Sequence, residues 1–455
     1  MADFYLDYRG SDYNGGGYDS TITGATVNLA SGQYAALTAS GLECTAGSTT
    51  VTSVYGGFTS DMIGNALNIY RGDNYTWGIY YISGVPNSTT IFLDRTPASS
   101  SNGVSGVAKV GGAWRTEANL KRDSAGWGWF FYNVVSASDT IHVRGNGQDN
   151  PPSGQYYGIP YNRLCQGGNG NPILMKGYNG RPAWEIQRGN LFFYQVGNCV
   201  FDHMKFFGSA GDWETNHRCI SQGRSVINDC IYDQLGSRGG AFEGMVKNCY
   251  VYNSDYDGTD KTGSANIAIS TVDHGMEASY NVVENFVGDG IRTTNINGCH
   301  HNIIDHVSRT GIMVSNGSNT NYIQNIKFNT INNCGGAGIR MTYSYNINVF
   351  GNLITNCSGE PIYSVNNYIN YLEDVKTFDY NAYYNNGNAF YNAVSGNNDI
   401  QLTQDPYTNA TSGDFTLNNT EGGGKSLRGA IQMNTAGYAK SETYQDIGAL
   451  QAYDK

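Results

Sequence analysis

The sequence is short of charge, of proline and of long apolar runs. Only 14% of its 455 residues are Asp, Glu, Lys or Arg, well under the usual quarter. That excludes a disordered chain held open by its own charges. Proline occurs only 9 times, and with abundant glycine and tyrosine this favours an all-β protein with many turns. No run of about 18 apolar residues occurs, so no membrane-spanning helix is expected. Basic residues number 27 against 38 acidic ones, a net charge of −11. A nucleic acid or an anionic membrane as partner would call for the opposite balance. The opening Met1-Ala-Asp-Phe-Tyr-Leu-Asp7 has neither the basic nor the apolar segment of a secretory signal, so production in a cytoplasm is expected. The nine cysteines are odd in number and contain no C-x-x-C pair. They read as buried thiols that pack as small hydrophobes.

What is plentiful is glycine, 60 residues, and tyrosine, 35. Glycine permits tight turns and tyrosine suits a pleated, half-exposed surface. An internal repeat organises them. Four segments share one pattern: Asn281-Val-Val-Glu-Asn-Phe286, Asn302-Ile-Ile-Asp-His-Val307, Asn329-Thr-Ile-Asn-Asn-Cys334 and Asn352-Leu-Ile-Thr-Asn-Cys357. Their leading asparagines are 21, 27 and 23 residues apart. Ala278, Cys299, Ile326 and Val349 precede them by three residues, and Val283, Ile304, Ile331 and Ile354 follow by two. A second apolar return comes at Ile291, Ile312, Ile339 and Ile362.

No coil carries a helical period. A repeat of this length built from short strands and turns is one rung of a β-solenoid. Rungs about 4.8 Å apart let one Asn per turn bond the next, layer on layer. Asn253, Asn285, Asn333, Asn356 and Asn385 suggest a second such ladder, interrupted by His306.

The expected fold is all-β: a right-handed parallel β-helix with an inserted β module and a C-terminal cap. Residues 1–20 form a first strand and cap, 21–115 the small all-β module, 116–400 the β-helix and 401–455 the closing segment. The module's strands are read at Thr50–Val54, Ala66–Tyr70, Gly78–Ile82 and Thr90–Asp94, with a turn-rich stretch over Ala98–Gly112 closing it.

Several stretches resemble the pectate-lyase-like right-handed β-helix superfamily, which is widespread in bacteria and tailed phages. They are Phe4-Tyr-Leu-Asp7, Asp139-Thr-Ile-His-Val-Arg144, Asn171-Pro-Ile-Leu-Met-Lys-Gly-Tyr178, Gly413-Asp-Phe-Thr-Leu417 and Asp446-Ile-Gly-Ala-Leu-Gln451. The 21–115 module is similar in style to modules of phage virion proteins. The resemblance implies a fold, and it implies a virion role more than an activity.

Three groups are candidates for chemistry. Glu284 and Asp305 hold the same outward position on adjacent rungs, with His306 beside them. Paired carboxylates at one rung's separation suit the general acid and nucleophile of a retaining glycosidase. Lys205, Tyr232, Tyr252, Asn332 and Thr355 hold equivalent positions, and a wall with one polar residue per rung accounts for the same pattern. Arg292 and Arg340 each follow a Gly-Ile pair. With Tyr343 and Tyr363 they form a substrate-binding set for a lyase that neutralises uronates, or they are spent in salt bridges such as Asp289 with Arg292. Asn253, Asp255 and Asp257 match the first half of a Ca²⁺ loop, but Ser264 stands where the bidentate Glu belongs, and a solvated Asx-rich loop fits equally. No other cofactor is implied.

The leading functional expectation is a phage virion structural or appendage protein, its partners being other virion proteins, sister subunits in a homotrimer, or a host-surface polysaccharide. The alternative is a polysaccharide lyase or glycoside hydrolase working on the groove of the β-helix.

Overall fold

The computed structural model describes residues 3–6, 17, 21–23, 37–111, 140–145, 147–148, 157–159, 173–186, 193–194, 199–207, 218–221, 225–233, 240–253, 266–271, 276–294, 298–315, 324–342, 347–365, 375–388, 390–391, 393, 395–432 and 444–449. These fall into two compact units. One holds Met1–Glu185 and Phe192–Lys205, the other Ile186–Leu191 and Phe206–Lys455.

In the first unit, Asp3–Leu6 pairs in parallel with Thr140–Arg144, which pairs with Ile173–Tyr178, which pairs with Cys199–Asp202. Ile141, Met175 and Phe201 share one row and are buried. Between the first two strands the chain makes a closed six-stranded barrel from Leu37–Cys44, Thr50–Ser53, Ala66–Asp73, Gly78–Asn87, Thr90–Leu93 and Gly103–Gly111. Alternating residues such as Val51, Leu67, Ile69, Ile82, Ile91 and Val110 fill it.

The stretch expected to be turns is thus mostly a strand. Gly103–Gly111 closes the barrel by pairing with both Leu37–Cys44 and Ala66–Asp73. Its glycines mark close approach, not a loop. A Cβ at Gly103 would lie 2.6 Å from the Tyr75 ring, and one at Gly106 would lie 2.8 Å from it.

The second unit is three parallel sheets, to which each coil gives one strand in turn. Sheet I contains Val226–Asn228, Met245–Lys247, Glu277–Ser279, Gly298–His300, Gln324–Lys327, Ile347–Phe350 and Val375–Asp379. Sheet II contains Ile231–Asp233, Tyr250–Tyr252, Val282–Phe286, Ile303–Val307, Thr330–Asn332, Leu353–Thr355, Ala382–Tyr384 and Ile400–Gln401. Sheet III contains Gly240–Glu243, Ile267–Thr271, Asp289–Thr293, Ile312–Ser315, Ile339–Thr342 and Ile362–Ser364. This is a right-handed parallel β-helix.

Its core is three columns of side chains. Ile269, Ile291, Ile312, Ile339 and Ile362 are register neighbours in sheet III, each fully buried. Val251, Val283, Ile304, Ile331 and Ile354 do the same in sheet II. Val246, Ala278, Cys299, Ile326 and Val349 complete the set in sheet I. Cys44, Cys230, Cys249, Cys299, Cys334 and Cys357 are free and buried.

The asparagine ladder forms as expected at the corner from sheet I to sheet II. Each Nδ2 donates to the next Asn Oδ1 at 2.9 Å, through Asn281, Asn302, Asn329, Asn352 and Asn381. Each also donates to a sheet I carbonyl, those of Val246, Ala278, Cys299, Ile326 and Val349. The Cys249 amide opens the ladder on Asn281 Oδ1, and Asp399 Oδ1 closes it by accepting from the Asn381 amide.

The second ladder forms only in part. Asn385 donates to Asn356 at 2.9 Å, but Asn356 donates to Asn332. What unites Asn285, His306, Asn333, Asn356 and Asn385 is a left-handed backbone, φ 49–54°, where Asn is tolerated best after Gly. The preceding corner is left-handed too, and there it is occupied by Tyr280, His301, Phe328 and Tyr380.

The C-terminal segment does more than follow the last coil. Leu402, Tyr407, Phe415, Leu417, Leu427, Ile431 and Ile447 form a second core with Leu353 and Ala382, residues that alternate with the inward column of sheet II. The Ala449 amide donates to Thr330 Oγ1 at 2.9 Å. The tail therefore clads the outer side of sheet II along its later rungs.

Candidate functional site

Two outward rows carry the candidate residues. In sheet II the register runs Asp233, Tyr252, Glu284, Asp305, Asn332, Thr355, Tyr384. Glu284 and Asp305 are adjacent, as their sequence positions predict. Tyr232 is not in the row: it pairs with Val251 and is buried inward, and Asp233 takes its place. In a three-residue strand a slip of one position exchanges the two faces. Lys205 is buried and belongs to the other unit.

Asp305 is enclosed. Its side chain is 8% exposed, with His306 Nδ1 at 2.7 Å from one oxygen and Asn332 Nδ2 donating at 2.8 Å to the other. Thr355 Oγ1 donates to Asn332 Oδ1 at 2.7 Å and lies 2.9 Å from the Tyr407 hydroxyl of the tail. Asp305 thus heads a hydrogen-bonded chain that runs under the cladding. Glu284, one rung before Asp305, is half-buried and accepts a hydrogen bond from the Tyr250 hydroxyl. The Tyr250 and Tyr252 rings stack beside it at 4.7 Å. Burial, and then Glu284, push the Tyr250 phenol far above its ordinary pKa, so it stays a donor. This part of the row has a carboxylate, a neutral phenol and a ring platform within reach of solvent.

His306 has its pKa raised, first by its hydrogen bond with Asp305, with burial opposing and the charges of Asp305 and Glu284 adding. A folded-state pKa above the unfolded value stabilises the fold below about pH 6.5, and the benefit is lost as pH rises through the raised value. We expect thermal midpoints of wild type and His306→Asn, a residue that tolerates the left-handed corner, to differ most at pH 5.5 and to converge by pH 8.5. A constant gap across that range would contradict the pairing.

In sheet III the outward row runs Ser270, Arg292, Met313, Arg340, Tyr363. Tyr391 continues it through a parallel bridge to Tyr363, and the two rings stack at 4.8 Å and 11°. The Arg340 guanidinium sits 5.5 Å over the Tyr363 ring. Arg340 makes no hydrogen bond or ion pair with the described residues, and its Nε is buried without a partner. Arg292 Nε reaches Ser315 Oγ at 3.5 Å. The Asp289–Arg292 salt bridge does not form: Asp289 is buried and accepts from the Thr310 amide at 3.0 Å instead. Burial raises its pKa, with the Thr310 bond and the Arg309 and Arg340 charges opposing.

Tyr343, Asp255 and Asp257 lie outside the described residues, and Asn253 is buried. Among the described residues no group of three or more His, Cys, Asp or Glu is placed to hold a metal ion. Sequence reasoning missed Tyr250 and Tyr391. An alternating Tyr-Val-Tyr strand signalled the first. Nothing in the repeat signalled the second, which arrives through an isolated bridge.

No protein-family model matches the sequence, and no curated protein matches it. Among solved structures the chain is similar to pectate lyase Pel9A, with a TM-score of 0.34 and 12% identity over 70% of this chain and 88% of that one. It is similar also to a rhamnogalacturonan lyase, with a TM-score of 0.26 and 18% identity over 50% and 68% of the two chains. A third is the catalytic domain of a GH87 alpha-1,3-glucanase in complex with tetrasaccharides, with a TM-score of 0.18 and 9% identity over 79% and 89%. Identities this low transfer no residue roles.

Proposed function

We propose that the protein is a carbohydrate-active β-helix that lays a polysaccharide bearing carboxylate groups along the outer row of sheet III. One observation carries this: Arg340 stands in that row without a hydrogen bond or ion pair to any described residue, between Met313 and the stacked rings of Tyr363 and Tyr391. A guanidinium recognises a carboxylate through paired, charge-assisted hydrogen bonds. Flat tyrosine faces offer amphipathic area to a sugar ring.

Cleavage is the second reading, favoured by Glu284 and Asp305 standing one rung apart in sheet II. Asp305, with donors on both oxygens, is the fixed carboxylate. Glu284, nearer solvent beside Tyr250, is the member of the pair that can exchange a proton with a leaving group.

The protein is to be incubated with acidic and neutral polysaccharides and followed for co-sedimentation, new reducing ends and unsaturated-uronate absorbance. Retention of acidic chains supports the proposal, and retention of none overturns it. Reducing ends that vanish in Glu284→Gln assign the hydrolytic pair, whereas unsaturated products point to elimination at the arginines. The virion-appendage expectation concerns where such a glycan is met. No feature of the rows favours it, and a trimer on sizing or assembly onto capsids would be its support.

A further inference from the structure

Sheet I carries titratable side chains that the glycan row leaves unused. Lys247, Ser279, His300 and Lys327 are register neighbours there, and Glu277 opens the strand that Ser279 ends. Glu277 Oε2 accepts from Lys247 Nζ at 2.8 Å, and its Oε1 lies 3.0 Å from His300 Nε2. That pairing places a His300 proton on Nε2 and leaves Nδ1 as an acceptor in the neutral ring. That Nδ1 is hydrogen-bonded to His301 Nδ1 at 2.9 Å, with the ring planes at 87°. His301 sits at a left-handed corner, φ 55°, and its amide donates to Phe328 O at 3.0 Å. Its ring is stacked on Tyr280 at 4.9 Å and tilted against Phe328 at 5.3 Å. Glu277 thus orients one imidazole, and the Tyr280 and Phe328 rings flank the other.

We propose that His300 and His301 chelate a late first-row divalent cation of tetragonal preference, Cu(II) foremost, through their two Nδ1 atoms. The hydrogen-bonded separation already suits a cis pair of ligands. With metal–nitrogen bonds of about 2.0–2.1 Å, nitrogens 2.9 Å apart subtend about 90°, the cis angle of a square or octahedral centre. A tetrahedral zinc site would need them about 3.3 Å apart. Tetragonal nitrogen ligation is the habit of Cu(II) and Ni(II). Glu277 behind His300 is the carboxylate that typically orients a ligating imidazole, and water completes the coordination. The exchange balances: the proton shared between the two Nδ1 atoms leaves to solvent, and both lone pairs turn to the metal. Lys247 is offset by Glu277. Lys327, the register neighbour of His300, opposes the cation.

The test titrates the full chain with Cu(II) in excess glycine, a weak competing chelator, and records electron paramagnetic resonance. Hyperfine structure from two imidazole nitrogens is expected. Affinity should fall at least tenfold in His301→Asn, which suits the left-handed corner, and in His300→Gln, and about tenfold in Glu277→Gln. Far-UV circular dichroism confirms folding. Mass spectrometry of carbethoxylated wild type reads the site independently of any variant, since Cu(II) should protect His300 and His301 from modification. Equal binding by the variants, no binding in glycine, or no protection would each overturn the site.

Discussion

Asn329→Ala should lower the stability of the β-helix by about 2–4 kcal/mol, among the largest costs of any single polar truncation here. Asn329 Oδ1 accepts from the Asn302 amide at 3.1 Å and from Asn302 Nδ2 at 2.9 Å, and its own Nδ2 donates to Cys299 O and Asn352 Oδ1. Asn302, Asn329 and Asn352 are all fully buried, so no water replaces the lost partner, and each orphaned group bears its desolvation. Asn385→Ala is the control. Asn385 is exposed and its side chain makes one bond, to Asn356, so about 1 kcal/mol is expected from the left-handed backbone alone. Urea unfolding with an unchanged slope separates the two. Equal costs would mean that asparagine serves only the turn.

Gly338→Ala should cost about 2–4 kcal/mol by overpacking. A Cβ there would come within 2.4 Å of Ile354 Cγ2 and 2.8 Å of the Pro361 carbonyl oxygen. The carbonyl belongs to the next rung, whose Gly338 amide to Glu360 and Ile339 amide to Pro361 bonds hold it in place, so it cannot retreat cheaply. Adding Ile354→Ala removes the clashing methyl, and the double variant should be less destabilised than the sum of the singles by at least about 1 kcal/mol. Strict additivity in thermal or urea unfolding would show that rung contact is not the cause.

The solenoid was legible because an apolar side chain returns once per coil, as at Ile291, Ile312 and Ile339, and nothing but stacking explains that period. The Asn ladder was legible for the same reason. Features set by tertiary contact were not. Gly103–Gly111 reads as a loop because its glycines answer to the Tyr75 ring, a contact no local pattern announces. Tyr280, Phe328 and Tyr380 occupy left-handed corners that local preference assigns to Gly or Asn. Tyr232 was placed one position out because short strands leave their register weakly marked. Of the candidate site, the adjacency of Glu284 with Asp305 and of Arg292 with Met313 and Arg340 could be counted from the repeat. The enclosure of Asp305 could not, because it depends on a tail without a period, with Tyr407 over Thr355. Nor could the fate of Asp289, whose bond to the Thr310 amide bridges two coils.

The sheet III row is tested most directly by the affinity of an acidic oligosaccharide for wild type, Arg340→Ala and Tyr363→Ala, measured by calorimetry at two salt concentrations. Loss of a charge-assisted contact is worth about 1.5–3 kcal/mol, so Arg340→Ala should bind roughly ten- to a hundredfold more weakly and with a shallower salt dependence. Tyr363→Ala should weaken binding while keeping the salt dependence. Undiminished affinity in both variants would contradict glycan recognition on this face.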